Sequence, residues 1–322
     1  MKNVYALQFT TSSRATISMR GSSNDVSLEY SYDGIDWSEW DLNVLKINLG
    51  DKLYIRGNNP RGLSHKNVKH YKFIIEGGKV SCSGNIMSLI DYKNLPNIIP
   101  CDYCFCELFS GCASLTTAPE LPATILADSC YESMFYGCGG LTTAPELPAT
   151  TLADSCYCKM FYGCSFLAVA PELPAKKLTK FCYGHMFYGC SSLAHAPELP
   201  ATTLADSCYS GMFFGCTGLT TAPELPAANL ADWCYSYMFF GCDSLTTAPE
   251  LPATTLAKSC YNGMFYGCSS LKAAPELPAT KLAKDCYYQM FDGCTSLKNK
   301  PEITESYKPI MTFKEYCQRN IL

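Results

Sequence analysis

Residues 126–151 read Leu-Ala-Asp-Ser-Cys-Tyr-Glu-Ser-Met-Phe-Tyr-Gly-Cys-Gly-Gly-Leu-Thr-Thr-Ala-Pro-Glu-Leu-Pro-Ala-Thr-Thr, and the same pattern recurs through the C-terminal two thirds of the 322-residue chain. Its Gly-Cys dipeptide returns at Gly111–Cys112, Gly137–Cys138, Gly163–Cys164, Gly189–Cys190, Gly215–Cys216, Gly241–Cys242, Gly267–Cys268 and Gly293–Cys294, always 26 residues apart. A unit this short cannot bury its apolar face alone, so it must stack on its neighbours. That predicts a solenoid and argues against catalysis.

Within one unit, Leu126, Cys130, Met134 and Cys138 are spaced by four, which places them on one face of a helix. Asp128 or Ser129 suits the N-cap and Gly137 the residue after the last turn. Pro145 and Pro148 forbid helix beyond that point. The segment Leu141–Leu147 is therefore expected to be extended, with Leu141, Ala144 and Leu147 facing inward. One short strand and one short helix per rung predict an α/β repeat solenoid of leucine-rich-repeat layout.

Residues 1–83 differ. Alternating runs at Val4–Thr10, Val26–Tyr32, Val44–Leu49, Lys52–Arg56 and Tyr71–Glu76, punctuated by Asp33-Gly34, Gly50-Asp51 and Gly77-Gly78, predict a small all-β, sandwich-like domain. The expected organisation is thus a β-rich domain over 1–83, a repeat region over 84–303 and a C-terminal cap over 304–322. The repeat region opens with a degenerate rung, because Ser88-Leu89 and Leu95-Pro96 align one period before Ser114-Leu115 and Leu121-Pro122. Eight full rungs follow. Thr312–Asn320, with a capping-box start, is expected to form a short helix over the open end.

The units resemble the BspA-like leucine-rich repeats of anaerobic gut and oral bacteria. The resemblance rests on the core Met264-Phe265-Tyr266-Gly267-Cys268-Ser269-Ser270-Leu271 and its copies, completed by Ala-Pro-Glu-Leu-Pro-Ala-Thr, over about 84–303. It implies surface-exposed adhesion and ligand binding; similar arrays also occur in phage tail and adhesin proteins. Ser31-Tyr32-Asp33-Gly34-Ile35-Asp36-Trp37 resembles the Asp-box hairpin of sialidase-like and carbohydrate-active proteins, a motif that is mostly structural.

The chain has 21 cysteines. Sixteen form eight pairs at a spacing of eight, such as Cys130/Cys138. They share a face with Leu and Met, which favours small buried hydrophobes over a disulfide framework. The close pairs Cys104/Cys106 and Cys156/Cys158 lack the second half of a zinc motif, so no metal and no cofactor are expected.

The net charge of −4, with 17% charged residues, offers no basic footprint for nucleic acid. No apolar run is long enough to insert in a membrane. Met1–Thr10 alternates like a strand and lacks the apolar stretch of a secretory leader. An extracellular or cell-surface location, as the resemblance implies, is the leading expectation; virion-associated and cytoplasmic locations are the alternatives. Only His65, His70, His185 and His195 supply imidazoles, and no phosphate loop or nucleophile elbow is present. No catalytic residue is assigned and the protein is not expected to be an enzyme.

Comparing rungs with one another separates packing positions from free ones. The row preceding each Ala-Pro varies: Thr143, Val169, His195, Thr221, Thr247 and Ala273 are the expected ligand-binding residues, on the strand side where solenoids present a concave face. The expected partner is a protein or glycan on a cell surface, with the N-terminal domain docking to a larger assembly. A structural or receptor-binding role in a phage tail is the runner-up, and an intracellular interaction module the third reading. Two further rows are weighed as packing or solvated surface: the aromatics Tyr136, Tyr162, Tyr188, Phe214, Phe240 and Tyr266, and the glutamates from Glu120 to Glu302.

Overall fold

The computed structural model describes residues 5–21, 26–65 and 70–301. The chain runs through β1 (Leu7–Thr11), β2 (Ala15–Arg20), β3 (Leu28–Ser31), β4 (Ser38–Glu39), β5 (Leu45–Ile47), β6 (Lys52–Gly57), β7 (Lys72–Gly77), β8 (Val80–Ser83), α1 (Ser88–Asp91) and β9 (Leu115–Thr117). One sheet has the order β4-β3-β6-β1-β8-β9 and the other β5-β2-β7. Strict alternation writes the inner faces: β1 buries Leu7, Phe9 and Thr11, and β2 buries Ala15, Ile17 and Met19. The sheets meet where Phe9 of one packs on Phe73 of the other, ring centroids 5.5 Å apart. All pairs are antiparallel except β8 with β9, through which the sheet runs on into the repeats. The Asp-box-like turn is structural. Asp33 Oδ1 accepts the N–H groups of Ile35 and Asp36 at 2.8 and 2.9 Å, and these bonds, the Ile35 one foremost, hold its carboxyl below the usual range. Beside the turn, the Arg56 guanidinium lies between the rings of Trp37 and Tyr92, at 3.7 and 3.9 Å from their centroids.

The expected α/β leucine-rich-repeat solenoid, with a helix in every rung, is overturned. Among the described residues the only α-helix is the four-residue α1, and the extended sheets belong to the N-terminal part rather than to a strand ladder along the repeats. The stretch expected to be helical is a run of overlapping four-residue turns. In residues 129–138 the even positions Cys130, Glu132, Met134, Tyr136 and Cys138 donate their N–H to the carbonyl three residues back. The odd positions Ser129, Tyr131, Ser133, Phe135 and Gly137 donate to the next unit, at Asp154, Cys156, Cys158, Met160 and Tyr162. Every second amide is therefore spent between units, and the i→i−4 ladder of an α-helix never forms. The turns place Ser129, Ser133 and Gly137 at φ 53°, 54° and 69°, the positive φ that type II turns demand of their third residue. A repeat of four mimics 3.6 closely over so short a stretch, which is why the apolar stripe reads as helical.

The left-handed conformation costs about 1–2 kcal/mol for each residue with a side chain, or about 2–4 kcal/mol per unit for its two non-glycine positions. Against this, Tyr131, Met134, Phe135, Leu141 and Leu147 are each at most 3% exposed. Five such side chains contribute on the order of 8–15 kcal/mol before chain entropy is counted. Burial wins, and the strain is carried.

Stacking identical units turns single residues into columns. Tyrosines 131, 157, 183, 209, 235, 261 and 287 stack with centroids 5.8–5.9 Å apart. Phenylalanines 109, 135, 161, 187, 213, 239, 265 and 291 do so at 5.6–5.7 Å. Phe73 stacks on Phe109 at 4.9 Å, so one apolar core runs from the sheets into the array. None of the twenty described cysteines is in a disulfide, and eighteen are buried. Cys138 Sγ donates to the Phe109 carbonyl at 3.1 Å, and Cys164, Cys190 and Cys216 repeat the bond to Phe135, Phe161 and Phe187. Burial pushes the thiols of Cys130, Cys164, Cys182 and Cys216 up to about 12. The region expected to form the C-terminal helix, Thr312–Asn320, lies outside the described residues, as does Glu302.

Candidate functional site

The six strand-side residues come from six consecutive units, immediately before each Ala-Pro. Thr143, Val169, His195, Thr221, Thr247 and Ala273 are all exposed. Their backbones form parallel bridges: Thr143 with Val169, His195 with Thr221, and Thr221 with Thr247. The neighbouring N–H groups carry the pairing along the row, Ala144 to Val169 at 3.2 Å and Thr246 to Thr220 at 3.3 Å. Ala273 follows Lys272, whose N–H donates to the Thr246 carbonyl. The row is thus a line of solvent-facing side chains on a fixed backbone frame. Val169 is 57% exposed, and Phe166 in the same unit is 64% exposed. These are the most exposed apolar side chains on this part of the array and sit one unit from His195.

Beside the row, the Ala-Pro-Glu-Leu-Pro segments of adjacent units enclose shallow grooves. One of about 460 Å³ is lined by Pro119, Glu120, Pro122, Pro145, Glu146 and Pro148. Another, of about 360 Å³, is lined by Pro171, Glu172, Pro174, Pro197, Glu198 and Pro200. Each joins a rigid proline rim to an exposed carboxylate, and the seven described glutamates of this position are all exposed. Solvation accounts for like charges one unit apart.

The aromatic row before each Gly-Cys is a closed stack. Tyr136, Tyr162, Tyr188, Phe214, Phe240 and Tyr266 lie with successive centroids 4.2–4.6 Å apart and planes within 10°. Their faces are spent on one another, so only edges remain for a ligand. Sugar stacking needs faces, which makes this row packing. Asp292 ends it with an ion pair to Lys300 at 2.8 Å.

Two histidines contrast. His195 lies on the exposed row, whereas His185 is 1% exposed. Burial, and secondarily the charge of Lys159, pulls the His185 imidazole down to about 3. It therefore stays neutral at physiological pH. A third feature escaped sequence reasoning: His70, Cys106 and Glu107 bring their donor atoms within 4.8 Å of one another. His70 and Cys106 are 36 positions apart, and no spacing rule joins them.

No helix among the described residues is long and apolar enough to cross a membrane. In comparisons with known proteins, no family model, no curated protein and no solved structure matches this chain. The resemblance to BspA-like repeats accordingly rests on the quoted motif alone, and what the array offers chemically is a periodic, exposed row on a rigid frame.

Proposed function

We propose that the chain is a non-catalytic binding protein whose strand-side row engages a protein or glycan on a cell surface. The observation that carries this reading is the contrast between positions. The buried columns repeat the same residues unit after unit, while the exposed row changes from Thr143 to Val169 to His195 on the same backbone frame. A scaffold that holds its interior constant and varies one solvent-facing line suits recognition of an extended ligand. The shallow proline-rimmed grooves beside it fit contact with chain-like partners better than capture of a small molecule, since small-molecule sites are concave and mostly enclosed. On this reading the N-terminal sheets dock the array to a larger assembly, on a cell surface.

The test is saturable binding of the labelled chain to a panel of bacterial cells, epithelial cells and matrix proteins. A triple variant, Val169→Thr and His195→Thr in the row with Lys272→Thr immediately beside it, restores the residue commonest at each of these positions. Binding that falls at least tenfold in the variant, with the melting temperature unchanged, is the expected result. Wild-type affinity retained by the variant would remove the row as the binding surface. Absence of binding to every member of the panel would overturn the adhesion reading in favour of a structural role in an assembly.

A further inference from the structure

At the junction between the sheets and the first unit, three side chains of different chemistry converge. His70 lies two residues before the strand β7, and its ring stacks on Tyr103, with centroids 5.7 Å apart and planes 18° from parallel. Cys106 and Glu107 lie in the first run of turns. The Cys106 N–H bonds back to the Tyr103 carbonyl, and the Glu107 N–H bonds across to the Glu132 carbonyl. Glu107 is held at φ 59°, a conformation that aims successive side chains differently from a helix. The result is His70 Nδ1 at 3.8 Å from Glu107 Oε1, with Cys106 Sγ completing a triangle in which all donors lie within 4.8 Å.

Cys106 stands apart from the packing thiols. It belongs to neither of the two cysteine columns, which pass through Cys104 and Cys112. The column thiols from Cys112 to Cys294 donate to backbone carbonyls at 3.0–3.3 Å. The Cys106 thiol is 97% buried yet has no hydrogen-bond partner among the described residues, and it is turned toward an imidazole and a carboxylate. Glu132, one unit further on at the same position, is close enough for its charge to act on the same thiol. Packing alone asks for none of these three polar neighbours.

We infer that His70, Cys106 and Glu107 form a binding site for one divalent transition-metal cation of the zinc type. Sulfur, imidazole nitrogen and carboxylate oxygen are the donors that zinc accepts. Three protein ligands leave a fourth position for water. On binding, the Cys106 thiol loses its proton to solvent as the metal–sulfur bond forms, and no electron is transferred. Stacking on Tyr103 fixes the plane of the His70 ring, as a second layer around a metal does. Such a site would tie β7 to the first unit across the boundary that Phe73 and Phe109 bridge on the apolar side.

The experiment titrates Co²⁺, then Zn²⁺, into the metal-stripped, reduced full-length chain, with a chromophoric chelator in competition. Expected are one equivalent of Co²⁺ per chain, an intense thiolate-to-cobalt charge-transfer band, and its loss when Zn²⁺ displaces the cobalt. Cys106→Ser abolishes the band, His70→Gln weakens affinity at least tenfold, and Cys158→Ser leaves both unchanged. If Cys106→Ser fails to fold, Glu107→Gln, at an exposed side chain, carries the test with a loss of at least tenfold in affinity. A band that survives in Cys106→Ser would place the metal on other thiols and overturn the assignment. Absence of a band in the wild-type chain would do the same.

Discussion

At the scale of single residues, backbone strain is the distinctive property of this chain. Among the described residues sixteen non-glycine residues hold positive φ, and in each full unit the third such position is glycine. Gly163 has φ 71°, and a Cβ placed there would lie 3.8 Å from the Gly137 Cα, an ordinary contact. Gly163→Ala is therefore expected to destabilise by about 1–2 kcal/mol from conformation alone, without a clash. Ser155 carries the same strain at φ 55°. Ser155→Gly should gain about 0.5–1 kcal/mol, the relief being partly offset by the extra freedom of the unfolded chain. Urea midpoints of the two variants check both signs, and a stabilised Gly163→Ala would contradict the turn assignment. His185 supplies a second residue-scale test. Its folded-state pKa, about 3, lies below the ordinary 6.5, so the unfolded chain binds the proton first. Its contribution is fully present above about pH 6.5 and is lost as pH falls toward 3, at about 1.4 kcal/mol per unit. His185→Tyr should fold, because the His185 ring covers Gly211 as the Tyr237 ring covers Gly263. Each lies 6.2 Å from the next aromatic, at 59° and 61° respectively. Between pH 7.5 and 5 the wild type should lose about 2 kcal/mol more than this variant; equal losses would show that His185 is not buried as described.

Elements are where the sequence was partly legible. Strands β1, β3, β5, β6 and β7 coincide with alternating runs, because a half-buried sheet imposes period two directly on the residue choice. β2 alternates as well, in Ala15-Thr-Ile-Ser-Met-Arg20, and follows the bend at Ser12–Ser13 that carries the chain from the sheet of β1 to that of β5 and β7. The failure lies in the repeats. Cys130, Met134 and Cys138 are buried as their spacing demands, yet the period arises from four-residue turns, and at this length four and 3.6 place the same residues inward. A signal existed: Gly137 recurs without exception, and Ser133 is replaced by Gly211 and Gly263 at the corresponding position of other units. A helix interior would disfavour those glycines, whereas a positive-φ position accepts them. The solvent-facing row was legible for a different reason, since variation between units marks exposure whatever secondary structure lies beneath. The cluster of His70, Cys106 and Glu107 was not, because it depends on how the strand β7 meets the first unit.

Across the whole molecule, the continuous core sets an asymmetry. At one end Phe73, itself packed on Phe9 and Trp40, stacks on Phe109 and ties the array to the sheets. At the other end, among the described residues, the last unit is stacked on one side only, and Cys294 there is only partly buried. Local opening follows the number of neighbours lost, so the array should fray from its C-terminal side. Thiols report this directly, since only the thiolate reacts. Cys101 is half-buried, and its pKa is pulled down by the hydrogen bond with Cys104, which favours reaction. In a Cys317→Ser background, a thiol reagent is expected to label Cys101 and Cys294 within the first phase in native buffer. Cys286 and Cys268 should follow through local opening, and Cys190 and Cys138 only with global unfolding. In denaturant without reductant every cysteine should label, since none of the twenty described cysteines is in a disulfide. Peptide mapping by mass spectrometry reads the order. Early labelling of Cys138 would contradict the anchoring by Phe73, and thiols that stay blocked in denaturant would contradict the columns of reduced cysteine on which the packing of the array rests.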